Sequence, residues 1–271
     1  MSKREPTGPP PPLAVQKLRL RYTKRGRLRF TSHRDIARAF ERALRRASVP
    51  MAYSAGFSPH PKISWVGAAP TGVASEAEYV EISVVERVDL ERLRAALDDS
   101  LPAGIDVVDI VEAPVGTSLP DRIEASRWEI RLPQVPLAAL EAAVEAFLAA
   151  ESVPVERLMK QGLRTLDARA AVVSMSASAD ADPSGCATLR TVVRHVTPAV
   201  RPDDVLSGLR SVADLVPPVP PEATRYAQGP LTETGEVDDP LAPDRPTSSA
   251  AGATLAVGDL EQVTAGAEPS G

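Results

Sequence analysis

One cysteine among 271 residues is too few for an internal disulfide, a cysteine-rich zinc site or an iron–sulfur cluster held by this chain alone. Cys186 reads instead as a small buried hydrophobe in a strand. No run approaches the roughly 18 consecutive apolar residues of a membrane-spanning helix, and the basic start passes into Pro9–Pro12 rather than an apolar signal core. A cytoplasmic protein with no membrane partner is expected. Two Trp, four Tyr and four Phe are too few to build a core, which must rest on Val, Leu, Ile and Ala. The three histidines, His33, His60 and His195, lie too far apart to suggest a zinc site, and neither metal nor cofactor is expected.

What the chain does have is charge, unevenly placed. The net charge of −5 conceals 15 basic and 3 acidic residues up to Trp65, against 16 basic and 33 acidic residues beyond it. The front of the molecule is a candidate for phosphate contact, and the rest can neutralise it.

Residues 1–14, polar and then polyproline, read as a disordered N-terminal arm. In residues 15–113 the patterns run strand, helix, strand, strand, helix, strand. Leu18, Leu20 and Tyr22 alternate with charged residues, and Leu28–Phe30 reads as a possible second arm of a hairpin. Ile36, Phe40 and Leu44 recur at helical spacing behind an N-cap at Ser32. Strands follow at Ile63–Val66, Tyr79–Val85 and Ile105–Val111, with a helix at Leu90–Leu101. The fold class is therefore α+β: a ferredoxin-like βαββαβ unit. A linker, 114–125, leads to a second, weaker α+β unit at 126–228 with the look of a duplication, in which Ala177–Gly185 reads as a hairpin loop. The Gly-, Pro- and acid-rich residues 229–271 read as a disordered acidic tail able to fold back on the basic region.

Three stretches carry candidate chemistry. Arg34, Arg38 and Arg42 form a stripe on the first helix opposite its apolar face, joined by Arg19 and Arg21 from the first strand and Lys24 and Arg27 from its turn. Guanidinium groups in such an array fork onto phosphate oxygens and release counterions, so an RNA or phosphate surface is expected, although an ordinary solvated face has the same pattern. Ser32 and His33 sit at the positive end of the helix, where an anion is favoured. In the second stretch, residues 55–64, Pro59 and Pro61 stiffen a loop that presents Phe57, His60 and Lys62, a binding lip or simply a stiff connection. In the third, residues 70–82, Gly72 permits a tight turn and Glu76, Glu78 and Glu81 supply carboxylates, read chiefly as partners for the arginines. His33, His60 and Glu76 are the candidates for acid–base catalysis.

These residues also carry a resemblance. The opening with Arg19, Tyr22, Lys24 and Gly26, the helix start with Phe30, Ser32, His33 and Asp35, the loop from Phe57 to Ser64, and the turn with Pro70, Gly72, Ser75, Glu76 and Glu78 resemble the bacterial radical-SAM-linked, or radical-SAM-associated, family, a domain of unknown function. The resemblance runs from residue 17 to about residue 210. It implies a stand-alone protein that works beside a separate radical-SAM protein, because the chain lacks that enzyme's cysteine triad.

Three functions are consistent with these features. The first is an RNA-binding accessory protein that works with a separate radical-SAM enzyme in RNA modification or processing. The second is an RNA- or nucleotide-modifying enzyme using His33, His60 or Glu76. The third is a protein-binding scaffold without nucleic acid.

Overall fold

The computed structural model describes residues 11–159, 162–179 and 186–246. The alternating segment forms β1 (Gln16–Lys24). A 3-10 turn at Gly26–Phe30, not a hairpin arm, follows it and leads into α1 (His33–Arg46). Ser32 caps α1, its hydroxyl accepting the Asp35 N–H and lying 2.7 Å from the Asp35 carboxylate. β2 (Ile63–Val66), β3 (Ala74–Val84), α2 (Leu90–Ser100) and β4 (Val107–Glu112) complete the first half. Its strands lie in the order β4-β1-β3-β2, that of a ferredoxin-like unit.

The second half comprises β5 (Ala125–Leu132), α3 (Leu137–Ala149), β6 (Pro154–Met159), β7 (Gly162–Asp167), α4 (Ala168–Ala171), β8 (Val172–Ala179), β9 (Ala187–Arg194), α5 (Pro202–Ala213) and β10 (Glu222–Gly229). With the β6–β7 hairpin and the single turn of α4 set aside as an insertion, it repeats the βαββαβ pattern in the order β10-β5-β9-β8. Of the loop expected at Ala177–Gly185, residues 180–185 lie outside the described residues. Cys186 is buried just ahead of β9.

The halves are not separate units, because β10 joins them into one eight-stranded sheet. It runs antiparallel to β5 and parallel to β3, pairing Thr224 with Ala74 and Arg225 with Ser75. The same edge of β3 is taken further along by β2, from Tyr79 to Ile82.

Helices cover one side of each half. Leu18, Leu20, Val80 and Ile82 pack under Ile36, Phe40 and Leu44 of α1 and Leu93 and Leu97 of α2. Ile130, Leu132, Leu189 and Val193 pack under Leu140 and Phe147 of α3 and Val205 and Leu209 of α5. Gly208 lets α5 approach α3 closely: a Cβ there would sit 2.7 Å from the Phe147 ring.

The other side of the first half is covered by the chain segments expected to be linker and disordered tail. Leu119 and Ile123 of the linker and Leu241 of the tail close over Val66, Ala77, Tyr79 and Val111. Residues 230–246 form an ordered strap, with Leu231 bridged to Val237 and a 3-10 turn at Ala242–Asp244. The expectation of disorder from 229 onward is therefore corrected as far as Pro246. The few apolar residues there dock a bare sheet face, and the acids find buried arginines. Residues 1–10 of the expected arm and 247–271 of the expected tail lie outside the described residues.

Candidate functional site

Three of the residues expected to touch RNA are structural. Arg19 is fully buried, donating to Glu81 at 2.9 Å, to Asp244 at 2.6 Å and to the Thr117 carbonyl at 3.0 Å. Lys24 is 3% exposed and donates to the Pro70 carbonyl at 3.0 Å. Burial pulls its ammonium below the ordinary lysine pKa, and the charge of Glu78 works against that shift. Arg21 is half-buried and donates to the Glu76 carbonyl at 2.9 Å. The alternation of β1 does put Arg19 and Arg21 on its polar face, but that face turns inward, toward the linker and the strap.

The rest of the basic surface stays in solvent. Arg27, Arg34, Arg38 and Arg42 are all exposed. Arg38 lies 3.6 Å from Asp35, a spacing of little energetic weight at an exposed site, whereas Arg27, Arg34 and Arg42 make no ion pair among the described residues. His33 stands edge-on to Trp65, centroids 5.1 Å apart, and Trp65 packs in turn on Phe40 and Tyr22. The aromatic cluster therefore ties the start of α1 to β2, with the exposed Lys62 immediately before that strand. Beyond it, residues 55–60 form an exposed loop, pinned where Ser54 meets both the His60 ring nitrogen at 2.9 Å and its backbone N–H at 3.1 Å. Pro59 and Pro61 flank that histidine, and Phe57, 70% exposed, does not anchor the core.

The proposed acid–base trio is not assembled by these contacts. His33 meets Trp65, His60 meets Ser54, and the Glu76 carboxylate is clamped by Arg25, which also holds Asp106. Glu76, Glu78 and Glu81 all serve as partners for basic groups. Gly72, at φ 92°, lets its N–H reach the Arg29 carbonyl at 2.7 Å and so closes the turn over the end of β1. Glu78 is buried, accepting the Ala69 N–H at 3.0 Å and a short bond from Arg225 of β10. Arg225 lies over the Trp128 ring at 5.5 Å and reaches Ser75 at 3.4 Å.

That network forms one wall of a cavity of about 530 Å³ between the halves. Its other walls come from Gly67, Ala68, Pro70 and Thr71, from Trp128, Val193 and His195, and from the start of α5 with the residues before it. His195 is exposed by accessible surface, yet desolvation by the groups around its ring and the charge of Arg225 draw its pKa below the ordinary histidine value, against a hydrogen bond with the Ile123 backbone. Its Nε2 lies 2.7 Å from the Ser126 hydroxyl. Trp128, His195, Arg201 and Arg225 were not picked out as site residues from the sequence, because they are scattered over a hundred positions and share no motif. Among the described residues no group of three or more His, Cys, Asp or Glu side chains could hold a metal ion, and no helix is long and apolar enough to cross a membrane.

Residues 17–202 match a family described as "Uncharacterized protein conserved in bacteria (DUF2344)". No curated protein matches the chain. Among solved structures, the first two RRM domains of a yeast poly(U)-binding protein align at 11% identity over 78% of this chain and 99% of that one, with a TM-score of 0.18. A putative DyP-type peroxidase from Shewanella oneidensis aligns at 8% identity over 74% and 84%, with a TM-score of 0.21. A dye-decolorizing protein from V. cholerae aligns at 11% identity over 79% and 93%, with a TM-score of 0.20. Likenesses this weak say nothing about function.

Proposed function

This chain belongs to the bacterial DUF2344 family, and on that premise we propose that it is an RNA-binding accessory protein whose interface is the exposed face of α1 together with the loop before β2. The observation that carries this reading is the set of exposed guanidiniums at Arg27, Arg34 and Arg42 that no described carboxylate neutralises, on a chain otherwise dense in internal ion pairs. Cations left in solvent on one helix face, beside His33, Lys62 and an exposed Phe57, suit a single strand: phosphates meet the arginines and a base stacks on the phenyl ring. Cytoplasmic RNA modification or processing, with the radical chemistry supplied by a separate radical-SAM protein, follows from the motif resemblance of residues 17–82. Cys186 could offer such an enzyme's cluster only one buried thiol.

The test is fluorescence anisotropy with a labelled single-stranded RNA across a salt series. Affinity should fall with a slope of about −0.7 in log–log form per phosphate engaged. Arg34→Ala/Arg42→Ala should flatten that slope by about 1.4 and weaken binding at least about tenfold at low salt. An affinity that is absent at low salt, or indifferent to the double substitution, would remove the proposal.

A further inference from the structure

The cavity between the two halves is separate from the α1 surface and has a chemistry of its own. We propose that it binds a nucleotide, a planar heterocycle carrying a phosphate, either free or as the 5′-terminal residue of an RNA strand.

Size is the first consideration. About 530 Å³ falls within the roughly 300–1,000 Å³ of typical small-molecule sites. Shape and stiffness come next. Trp128 is 6% exposed, and the Arg225 guanidinium is laid on its ring while Glu78 and Ser75 hold the far end of the same group. Both planes are fixed before any ligand arrives, so little ordering entropy remains to be lost on binding. Val193, Val200 and Pro202 extend the apolar wall.

Charge then selects among occupants. The lining contains Arg201 and Arg225 and no carboxylate. The two acids behind it are already engaged: Glu78 by Arg225 and Ala69, Asp204 by Arg157 and by the Arg201 N–H at 2.7 Å. The Arg201 guanidinium is exposed at the α5 end of the cavity and makes no ion pair among the described residues, so it is open to an anion. His195, hydrogen-bonded to Ser126 and disfavoured as a cation beside Arg225, adds a polar group to this wall. A purely apolar guest would make no use of the exposed Arg201, and inorganic phosphate would leave the Trp128 wall unused. A ring joined to a phosphate satisfies both.

Isothermal titration calorimetry on the full chain tests this, with adenosine and uridine 5′-monophosphates, adenosine, inorganic phosphate, and a trinucleotide with or without a 5′-phosphate as probes. A mononucleotide should bind about tenfold or more tightly than adenosine or phosphate alone. Arg201→Ala should cost at least about tenfold, with partial recovery in Arg201→Lys, while Arg34→Ala/Arg42→Ala leaves mononucleotide binding unchanged. Tighter binding of the 5′-phosphorylated trinucleotide than of the mononucleotide assigns the source to an RNA end, and the reverse assigns it to the free nucleotide. Undetectable mononucleotide binding, equal binding of phosphate, or an unchanged affinity in a folded Arg201→Ala protein would overturn the assignment. Because the α1 variant is measured in parallel, failure of this site and failure of the RNA surface are separable.

Discussion

Arg19 keeps its charge with none of its side chain in solvent, so its burial is tolerable only because Glu81, Asp244 and Thr117 answer its donors. Removing it leaves Glu81 to Lys17 and Asp244 to Arg122, and takes from both the partner that joins them under the strap. Arg19→Met, which keeps most of the volume, should lower stability by about 3–5 kcal/mol, read as a shift of the urea midpoint. Asp244→Asn should cost less in that background than in the wild type, since one of the two opposed charges is then already gone. The sequence does not distinguish Arg19 from Arg34. Both are arginines in a basic run with sound local patterning, and what separates them is an aspartate 225 positions from Arg19. The solvent-facing candidates Arg34, Arg38 and Arg42 were legible because a helix face opposite Ile36, Phe40 and Leu44 has nowhere to go but outward. The cavity residues were not, since Arg225 meets Trp128 and Glu78 only once β10 is inserted.

At the level of elements, legibility followed pattern strength. β2, expected at Ile63–Val66, and α2, expected at Leu90–Leu101, have clean patterns or plain stop signals, and the structure places them at Ile63–Val66 and Leu90–Ser100. β10 was missed because its sequence, EATRYAQG, breaks its alternation at the register shift between Arg225 and Ala227 and turns polar side chains, Arg225 and Gln228, into the protein to hold Ser75, Glu78, Ala77 and Gly67. The strap was missed because its apolar content is little more than Leu231, Val237 and Leu241, too sparse for any period. Leu241 is nonetheless fully buried, and Asp244 is held by both Arg19 and Arg122. Two truncations should therefore behave differently. Ending the chain after Pro246 should leave the thermal midpoint within a few degrees of the full protein. Ending it after Gly229 exposes the Leu241 site and takes Asp244 from Arg19, so it should remove several kcal/mol, about the sum of a large-to-small core change and a broken buried ion pair. Only the first truncation can show whether residues beyond 246 compete with RNA for α1.

For the whole molecule, the bipolar charge is largely a description of its interior. Acids from the later part of the chain, Glu76, Glu78, Glu81, Asp106 and Asp244, pair with bases from both halves, and what remains unneutralised at the front is mainly the face of α1. Fold class could be read from the order of elements. The merging of two βαββαβ halves into one sheet could not, because it depends on β10 returning across the whole second half to reach β3. Residues 11–124 alone would lack β10 and the strap, and with them Arg225 for Glu78 and Asp244 for Arg19. That fragment is expected to show poorly dispersed amide spectra, and adding residues 125–246 in trans should restore dispersion. A well-dispersed spectrum from the fragment alone would show the first half to be autonomous.

The junction of the halves has a mechanical consequence. Within the sheet only two backbone pairs join β10 to β3, backed by side-chain bonds from Arg225 to Glu78 and Ser75, from Gln228 to Ala77 and from Arg29 to Glu222, while the buried residues of the two main hydrophobic clusters lie on either side. Under a load applied across the sheet, the molecule should part along this line before either half yields. The cavity lies on the same line, so whatever occupies it works as a rivet, and resistance to pulling becomes a measure of occupancy.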